Sequence, residues 1–253
     1  MMAGPPKTDD ASDPVLEQNV AAFNTDASIE EYSREVGLWP IESALVGQYF
    51  PPAPAAVLDI GCGAGRTSMG LDALGYRVAA IDLADSLLAV ARFRYPHIDF
   101  RRMDARGLEW ADATFDAALF SYNGIDNIYP ESSRIDCFRE SLRVLKPGGV
   151  LVFSTHNLIG AVFSGGFWYV RGYWNACRLL WNQRRHAIAR RWYIRYEDDH
   201  VQFSAPPGRT VRQLREAGFE ILDMCGSGGE RHPRRVLLHV QHVNFVVRRP
   251  FTA

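Results

Sequence analysis

One stretch limits the possible folds more than any other: Val57-Leu58-Asp59-Ile60-Gly61-Cys62-Gly63-Ala64-Gly65-Arg66-Thr67. Val57, Leu58 and Ile60 form the unbroken apolar run of a parallel strand covered on both faces. Gly61, Gly63 and Gly65 follow, where the chain must turn sharply and a ligand must approach the backbone. A helix then begins, and its first N–H groups and partial positive charge suit an anionic group. Strand, glycine turn and helix together predict a βαβ architecture with a nucleotide- or nucleoside-sized ligand.

The glycine spacing separates the ligands. A dinucleotide turn reads G-x-G-x-x-G. This one reads G-x-G-x-G, with Asp59 two residues before the first glycine. It resembles motif I of the class I S-adenosylmethionine (SAM)-dependent methyltransferases, of the methyltransferase type 11/25 kind. The resemblance implies that Gly61, Gly63 and Gly65 lie against the methionyl part of SAM, with Asp59 helping to hold its amino group. A tight turn without a ligand is the plain alternative.

Downstream, Arg77–Ile81 reads as a second strand ending at Asp82, 21 residues after Gly61. In a βαβ unit an acid at that distance faces the ribose hydroxyls, since a carboxylate accepts from both. Leu83 would then flank the adenine. Asp82 could instead cap the next helix, a role that Asp85 fills better. Ile98–Met103 reads as a third strand ending at Asp104-Ala105. The resemblance assigns that acid to the adenine amino group and the following N–H to the ring. Phe115–Phe120 reads as a fourth strand, ending in Ser121-Tyr122-Asn123-Gly124. Ligands of open parallel sheets bind beyond such strand ends, so Ser121 and Tyr122 join the expected cofactor contacts.

Arg134–Leu145 reads as a helix stopped by Lys146-Pro147-Gly148-Gly149, before a fifth strand at Val150–Ser154. The phrase Arg143–Gly149 is a further hallmark of the family, structural in role. Thr210–Ala217 reads as a helix and Gly218–Leu222 leads into a sixth strand. Val236–Val247 reads as a long last strand, antiparallel in the family. The expected fold is α/β: a Rossmann-like, seven-stranded, mostly parallel sheet with helices on both faces and a helical, aromatic cap insertion between strands five and six.

The flanking regions divide the rest. Residues 1–14 lack large apolar side chains and read as a disordered tail. Residues 15–50 carry helical periodicity, and Pro40 suits a first helical turn. The resemblance implies that this segment covers the cofactor with a tyrosine, Tyr32; ordinary core packing is the alternative. Residues 51–157 form the expected cofactor-binding core and residues 208–253 complete the sheet. Between them, residues 158–207 are too long for a simple connection. That insertion holds Trp168, Trp174, Trp181 and Trp192, and seven arginines without an acid from Phe167 to Arg195. In the family such an insertion caps the acceptor, so Trp168, Tyr169, Arg171 and His200 are candidate acceptor contacts for an aromatic or anionic molecule. Core packing or a homodimer contact with a solvated arginine face, an anionic membrane surface and single-stranded RNA remain open.

A methyl group on a sulfonium is already on a good leaving group, so alignment is the main task. A base is needed only where the acceptor loses a proton. His156, after the fifth strand in Ser154-Thr155-His156-Asn157, is the candidate base, although a histidine there can simply hydrogen-bond a strand end. Asn123 and Tyr122 are further candidate acceptor contacts. His239-x-x-His242 places its rings on opposite strand faces, and no metal is expected. The four cysteines have no C-x-x-C spacing, which fits free thiols in a reducing compartment. No apolar run spans a bilayer and no signal peptide opens the chain, so a cytoplasmic protein is expected. The expected activity is methyl transfer from SAM, giving S-adenosylhomocysteine, to a small-molecule oxygen. Nitrogen or carbon acceptors, RNA or lipid acceptors, a nicotinamide oxidoreductase and a SAM-binding scaffold are the rivals.

Overall fold

The structure is a computed structural model that describes residues 13–163, 192–195, 200–231, 236, 238 and 240–251. Three helices lead: α1 (Pro14–Phe23), α2 (Asp26–Ser33) and α3 (Pro40–Tyr49). The Asp13 carboxylate accepts from the Val15 and Leu16 N–H groups and caps α1, satisfying donors that a helix start leaves open. Pro40 opens α3, where its missing N–H costs nothing.

The core then alternates strand and helix: β1 (Ala56–Ile60), α4 (Arg66–Ala73), β2 (Arg77–Asp82), α5 (Asp85–Arg94), β3 (Asp99–Arg102) and β4 (Phe115–Phe120). A 3-10 turn (Gly124–Asn127), α6 (Glu131–Val144) and β5 (Leu145–His156) follow. The short α7 (Leu158–Phe163) opens the insertion, and β6 (Tyr193–Arg195) pairs with β7 (Val201–Phe203). Last come α8 (Pro207–Ala217), β8 (Glu220–Gly226) and β9 (His242–Arg248).

Seven strands form one sheet in the order β3-β2-β1-β4-β5-β9-β8. β9 is antiparallel to both neighbours and the other neighbouring pairs are parallel. The expected α/β sheet is therefore present. Val57, Leu58 and Ile60 are at most 1% exposed, as a central strand between two helical layers requires. Burying each such side chain contributes about 1.5–3 kcal/mol.

Two element boundaries differ from expectation. β5 starts at Leu145, because Leu145 pairs with Phe115 across an irregularity in register and the Gly148 N–H donates to the Arg249 carbonyl. The Lys-Pro-Gly-Gly stop thus lies inside a strand. β9 starts only at His242; Val236 and Leu238 are helical. Asn157, fully buried, donates from its side chain to the Val236 and Val240 carbonyls and holds that turn in place. The antiparallel sense of β9 brings its first residue to the C-terminal edge of the parallel strands.

Candidate functional site

That edge opens into a cavity of about 670 Å³, within the range of about 300–1,000 Å³ common for small-molecule sites. The tips of β1, β2 and β3 build one half. Those of β4 and β5 and the start of β9 build the other. α1 and α2 lie across it, supplying Leu16, Phe23 and Tyr32.

In the first half, Gly61, Gly63 and Gly65 all adopt positive φ, +66°, +53° and +86°, which side chains disfavour. Gly61 and Gly63 line the cavity. Gly65 caps α4 instead, and a Cβ there would press on Tyr95 and Phe100. Asp82 Oδ2 accepts from the Gly63 N–H and Oδ1 from the Ala84 N–H, both at 2.8 Å. The carboxylate therefore sets the shape of the glycine turn, and each oxygen keeps a second lone pair. Burial raises the Asp82 pKa, opposed by those backbone donors. The α5 N-cap position is Ala84, without a side-chain cap, so Asp85 does not take the capping role expected of it.

Leu83, Asp104 and Ala105 also line this half. Asp104 accepts from the Arg106 backbone N–H at 2.8 Å and from its guanidinium at 2.8 and 2.9 Å. Arg106 reaches on to Asp13 at 3.2 Å, tying the acid of β3 to the cap of α1. The Tyr32 ring lies over the turn, about where a Cβ on Gly63 would make van der Waals contact.

Asp59 differs from expectation. It is fully buried behind the turn and does not line the cavity. Its Oδ2 accepts from Thr67 Oγ1 and Ser68 Oγ, each at 2.6 Å, because α4 turns both hydroxyls back onto β1. Its Oδ1 has no partner, and burial raises the carboxyl pKa to about 6.

The second half starts at Ser121, Tyr122 and Asn123, all of which line the cavity. Tyr122 and Asn123 have φ of +50° and +55°, a costly pair for residues with side chains. The turn is held by the Asn123 N–H on Ser154 Oγ at 2.8 Å and by Ser121, whose hydroxyl donates to Glu42. Glu42 also takes Arg66 in a two-pronged pair at 2.8 Å, and the Arg66 guanidinium stacks over Trp39 at 4.2 Å. Tyr122 meets Trp39 and Tyr32 edge-on, with centroids 5.1 and 5.7 Å apart. His200 lines the cavity beside Phe23, their rings 6.0 Å apart. Trp168, Tyr169 and Arg171, like Trp174 and Trp181, lie outside the described residues.

His156 ends β5 and faces the cavity. Its Nδ1 lies 2.7 Å from Asp126 Oδ2, which also accepts from the His156 backbone N–H at 2.7 Å. The other Asp126 oxygen accepts from Arg134 at 2.7 Å and Thr155 Oγ1 at 2.6 Å. Asp126 and Arg134 are both wholly buried. Arg134 also donates to Gln213, the Ile125 carbonyl and Thr155, and stacks 4.2 Å over Phe203. A carboxylate only accepts, so His156 carries a proton on Nδ1, and its neutral form presents the Nε2 lone pair to the cavity. Beside it stands His242, centroids 4.9 Å apart. Asp126 and Arg134 escaped the sequence reading as site residues, and His242 was read only as half of a His-x-x-His pair set aside as a metal site. The usable signal was the pairing of β5 with β9, which sets His156 opposite His242.

Among the described residues no helix is long and apolar enough to cross a membrane, and no three His, Cys, Asp or Glu side chains form a metal-holding group.

Comparison with known proteins agrees with this geometry. Residues 57–149 match a family model described as a methyltransferase domain. The chain is 31% identical over 191 residues to a ubiquinone biosynthesis O-methyltransferase of Xanthomonas axonopodis pv. citri, covering 74% of this chain and 72% of that one. It is 38% identical over 111 residues to a demethylmenaquinone methyltransferase of Clavibacter sepedonicus, covering 42% of this chain and 44% of that one. By shape it resembles the Burkholderia thailandensis 1,6-didemethyltoxoflavin-N1-methyltransferase, solved with 1,6-didemethyltoxoflavin and S-adenosylhomocysteine. The TM-score is 0.64 at 17% identity, covering 98% of this chain and 93% of that one.

Proposed function

Because this chain belongs to the class I SAM-dependent methyltransferases, we propose that it methylates an oxygen of a small-molecule acceptor, with His156 as the base. The observation that carries the reading is the Asp126–His156 pair, which leaves an imidazole lone pair at the acceptor end of the cavity. The Xanthomonas relative, a ubiquinone biosynthesis O-methyltransferase, supports oxygen as the acceptor atom.

SAM supplies a methyl group on a sulfonium that departs readily. In this reading Gly61 and Gly63 offer backbone to its methionyl part, and Asp82 accepts from the ribose hydroxyls. Leu83 and Ala105 flank the adenine, and Asp104 accepts from its amino group. Tyr32, Ser121 and Tyr122 close the donor half. Asn123 and His200 border the acceptor. The three donor-half tips fit the group: a carboxylate with lone pairs to spare, a turn with glycine at positions 61 and 63 and a second acid on the next strand. His156 takes the acceptor proton as the oxygen attacks, which is worth about 10²–10⁴ in rate for a well-placed base.

Release of S-adenosylhomocysteine with a panel of phenolic and enolic acceptors tests the reading. His156→Phe should lose at least 100-fold in kcat while its affinity for S-adenosylhomocysteine holds. Unchanged turnover would end the assignment of His156 as base.

A further inference from the structure

The two imidazoles at the acceptor end present opposite faces. His156 is fixed by Asp126 with its proton on Nδ1 and a lone pair on Nε2. The His242 Nδ1 lies 2.9 Å from the Asn123 side-chain nitrogen. An amide N–H donates, so His242 accepts at Nδ1 and carries its proton on Nε2. The reverse orientation of Asn123 would bury both amide protons without a partner, a worse outcome than the unpartnered side-chain oxygen it now buries. Burial, and then the neighbouring His156, lower the His242 pKa, which keeps that ring neutral. Both rings line the cavity, and among the described residues neither Nε2 has a hydrogen-bond partner.

A lone pair and an N–H donor, on rings 4.9 Å apart, match a molecule that offers a proton and an acceptor on adjacent atoms. We propose that the acceptor is an enol or ring hydroxyl with a carbonyl on the neighbouring carbon, the hydroxyl on His156 Nε2 and the carbonyl on His242 Nε2–H. The proposal rests on His156 being the base. An imidazole is a weak base and takes a proton well only from an acidic hydroxyl. Where a conjugated ring links the hydroxyl to that carbonyl, as in tropolone, the carbonyl makes the hydroxyl acidic and shares the charge that develops. The His242 N–H stands where that charge arrives. In the step, the hydroxyl proton passes to His156 and the oxygen lone pair forms the bond to the methyl carbon. The carbon–sulfur bond breaks with its pair left on sulfur, and His156 returns the proton to solvent. His242 thereby selects the acceptor without exchanging a proton.

The test uses three probes titrated into the full chain saturated with S-adenosylhomocysteine: tropolone (hydroxyl beside carbonyl), tropone (carbonyl alone) and phenol (hydroxyl alone). Tropolone should bind at least tenfold more tightly than either of the others. His242→Phe should weaken tropolone and tropone about five- to tenfold and spare phenol; His156→Phe should weaken tropolone and phenol and spare tropone. Asn123→Asp, which draws the His242 proton to Nδ1, should reproduce the His242→Phe pattern in a ring of unchanged shape. It serves if His242→Phe fails to hold S-adenosylhomocysteine. Equal weakening of all three probes, no weakening, or tropolone no tighter than phenol would overturn the proposal. These titrations involve no turnover. Failure here leaves the His156 kinetics standing, and failure there leaves this binding pattern to be read by itself.

Discussion

Asp126 grips His156 twice through a single oxygen, accepting from the backbone N–H and from Nδ1, each at 2.7 Å. The ring and the strand end that carries it are thus fixed by one atom. The acid's other oxygen is taken up by Arg134 and Thr155, so Asp126 has no freedom to turn toward the cavity. Its part is positioning.

Asp126→Asn should therefore lower kcat about 100-fold, because an amide can donate to Nδ1 and draw the proton to Nε2. The affinity for S-adenosylhomocysteine should hold, since no tip of β1 to β3 is touched. Steady-state kinetics and calorimetry on the same preparation check this. Equal loss of kcat and product affinity would point to general damage to the fold.

Asp82 carries the next expectation. Asp82→Ala should weaken S-adenosylhomocysteine about 100-fold, the equivalent of two hydrogen bonds to a charged group at about 1.5 kcal/mol each. The variant also frees the Gly63 N–H, which Asp82 now holds at 2.8 Å. Asp82→Asn, which keeps one acceptor, should fall between it and the wild type by calorimetry.

Asp59 predicts an unusual pH response. Its carboxyl titrates at about 6 in the folded protein against an ordinary 3.8, chiefly through burial and despite the Ser68 and Thr67 hydroxyls. Between those values the folded state binds more protons than the unfolded chain. Stability from this group is present below pH 3.8 and is lost as pH rises to about 6, by about 2–3 kcal/mol. Asp59→Asn has no proton to lose. In urea unfolding, the variant should gain on the wild type between pH 4 and pH 7.5; a constant difference would refute the assignment.

Asn19 tests the cover over the cavity. It is buried on α1, donating to the Asn127 and Val201 carbonyls and accepting from the Val201 N–H at 2.7–2.9 Å. Asn19→Ala leaves these backbone groups unpaired, at about 1–3 kcal/mol. Hydrogen exchange over α1 should speed up while β1 and β4 stay protected. Uniform protection would show that α1 is held by other contacts.

The parts legible in the sequence were local ones. Gly61 and Asp82 follow apolar runs and Asp104 an alternating one, so strand and tip could be read in a single window. The acceptor end could not be read this way. His242 meets His156 only because two antiparallel strands bring residues 86 positions apart into register. Asp126 sat in a short loop phrase with no periodicity, and its partner Arg134 looked like any charged residue on a helix. Asp59 was correctly found at the strand, but the inward turn of Thr67 and Ser68 is a matter of helix phase, which the motif does not display.

The two halves of the cavity are rooted in separate stretches of chain: β1 to β3 for one, β4, β5 and β9 for the other. This division makes the enzyme modular. In the proposed reading, residues 123, 156 and 242 can drift toward a new acceptor while the donor cradle stays as it is. A library randomised at those positions alone would explore new methylation chemistry from a scaffold that still charges itself with the same methyl source.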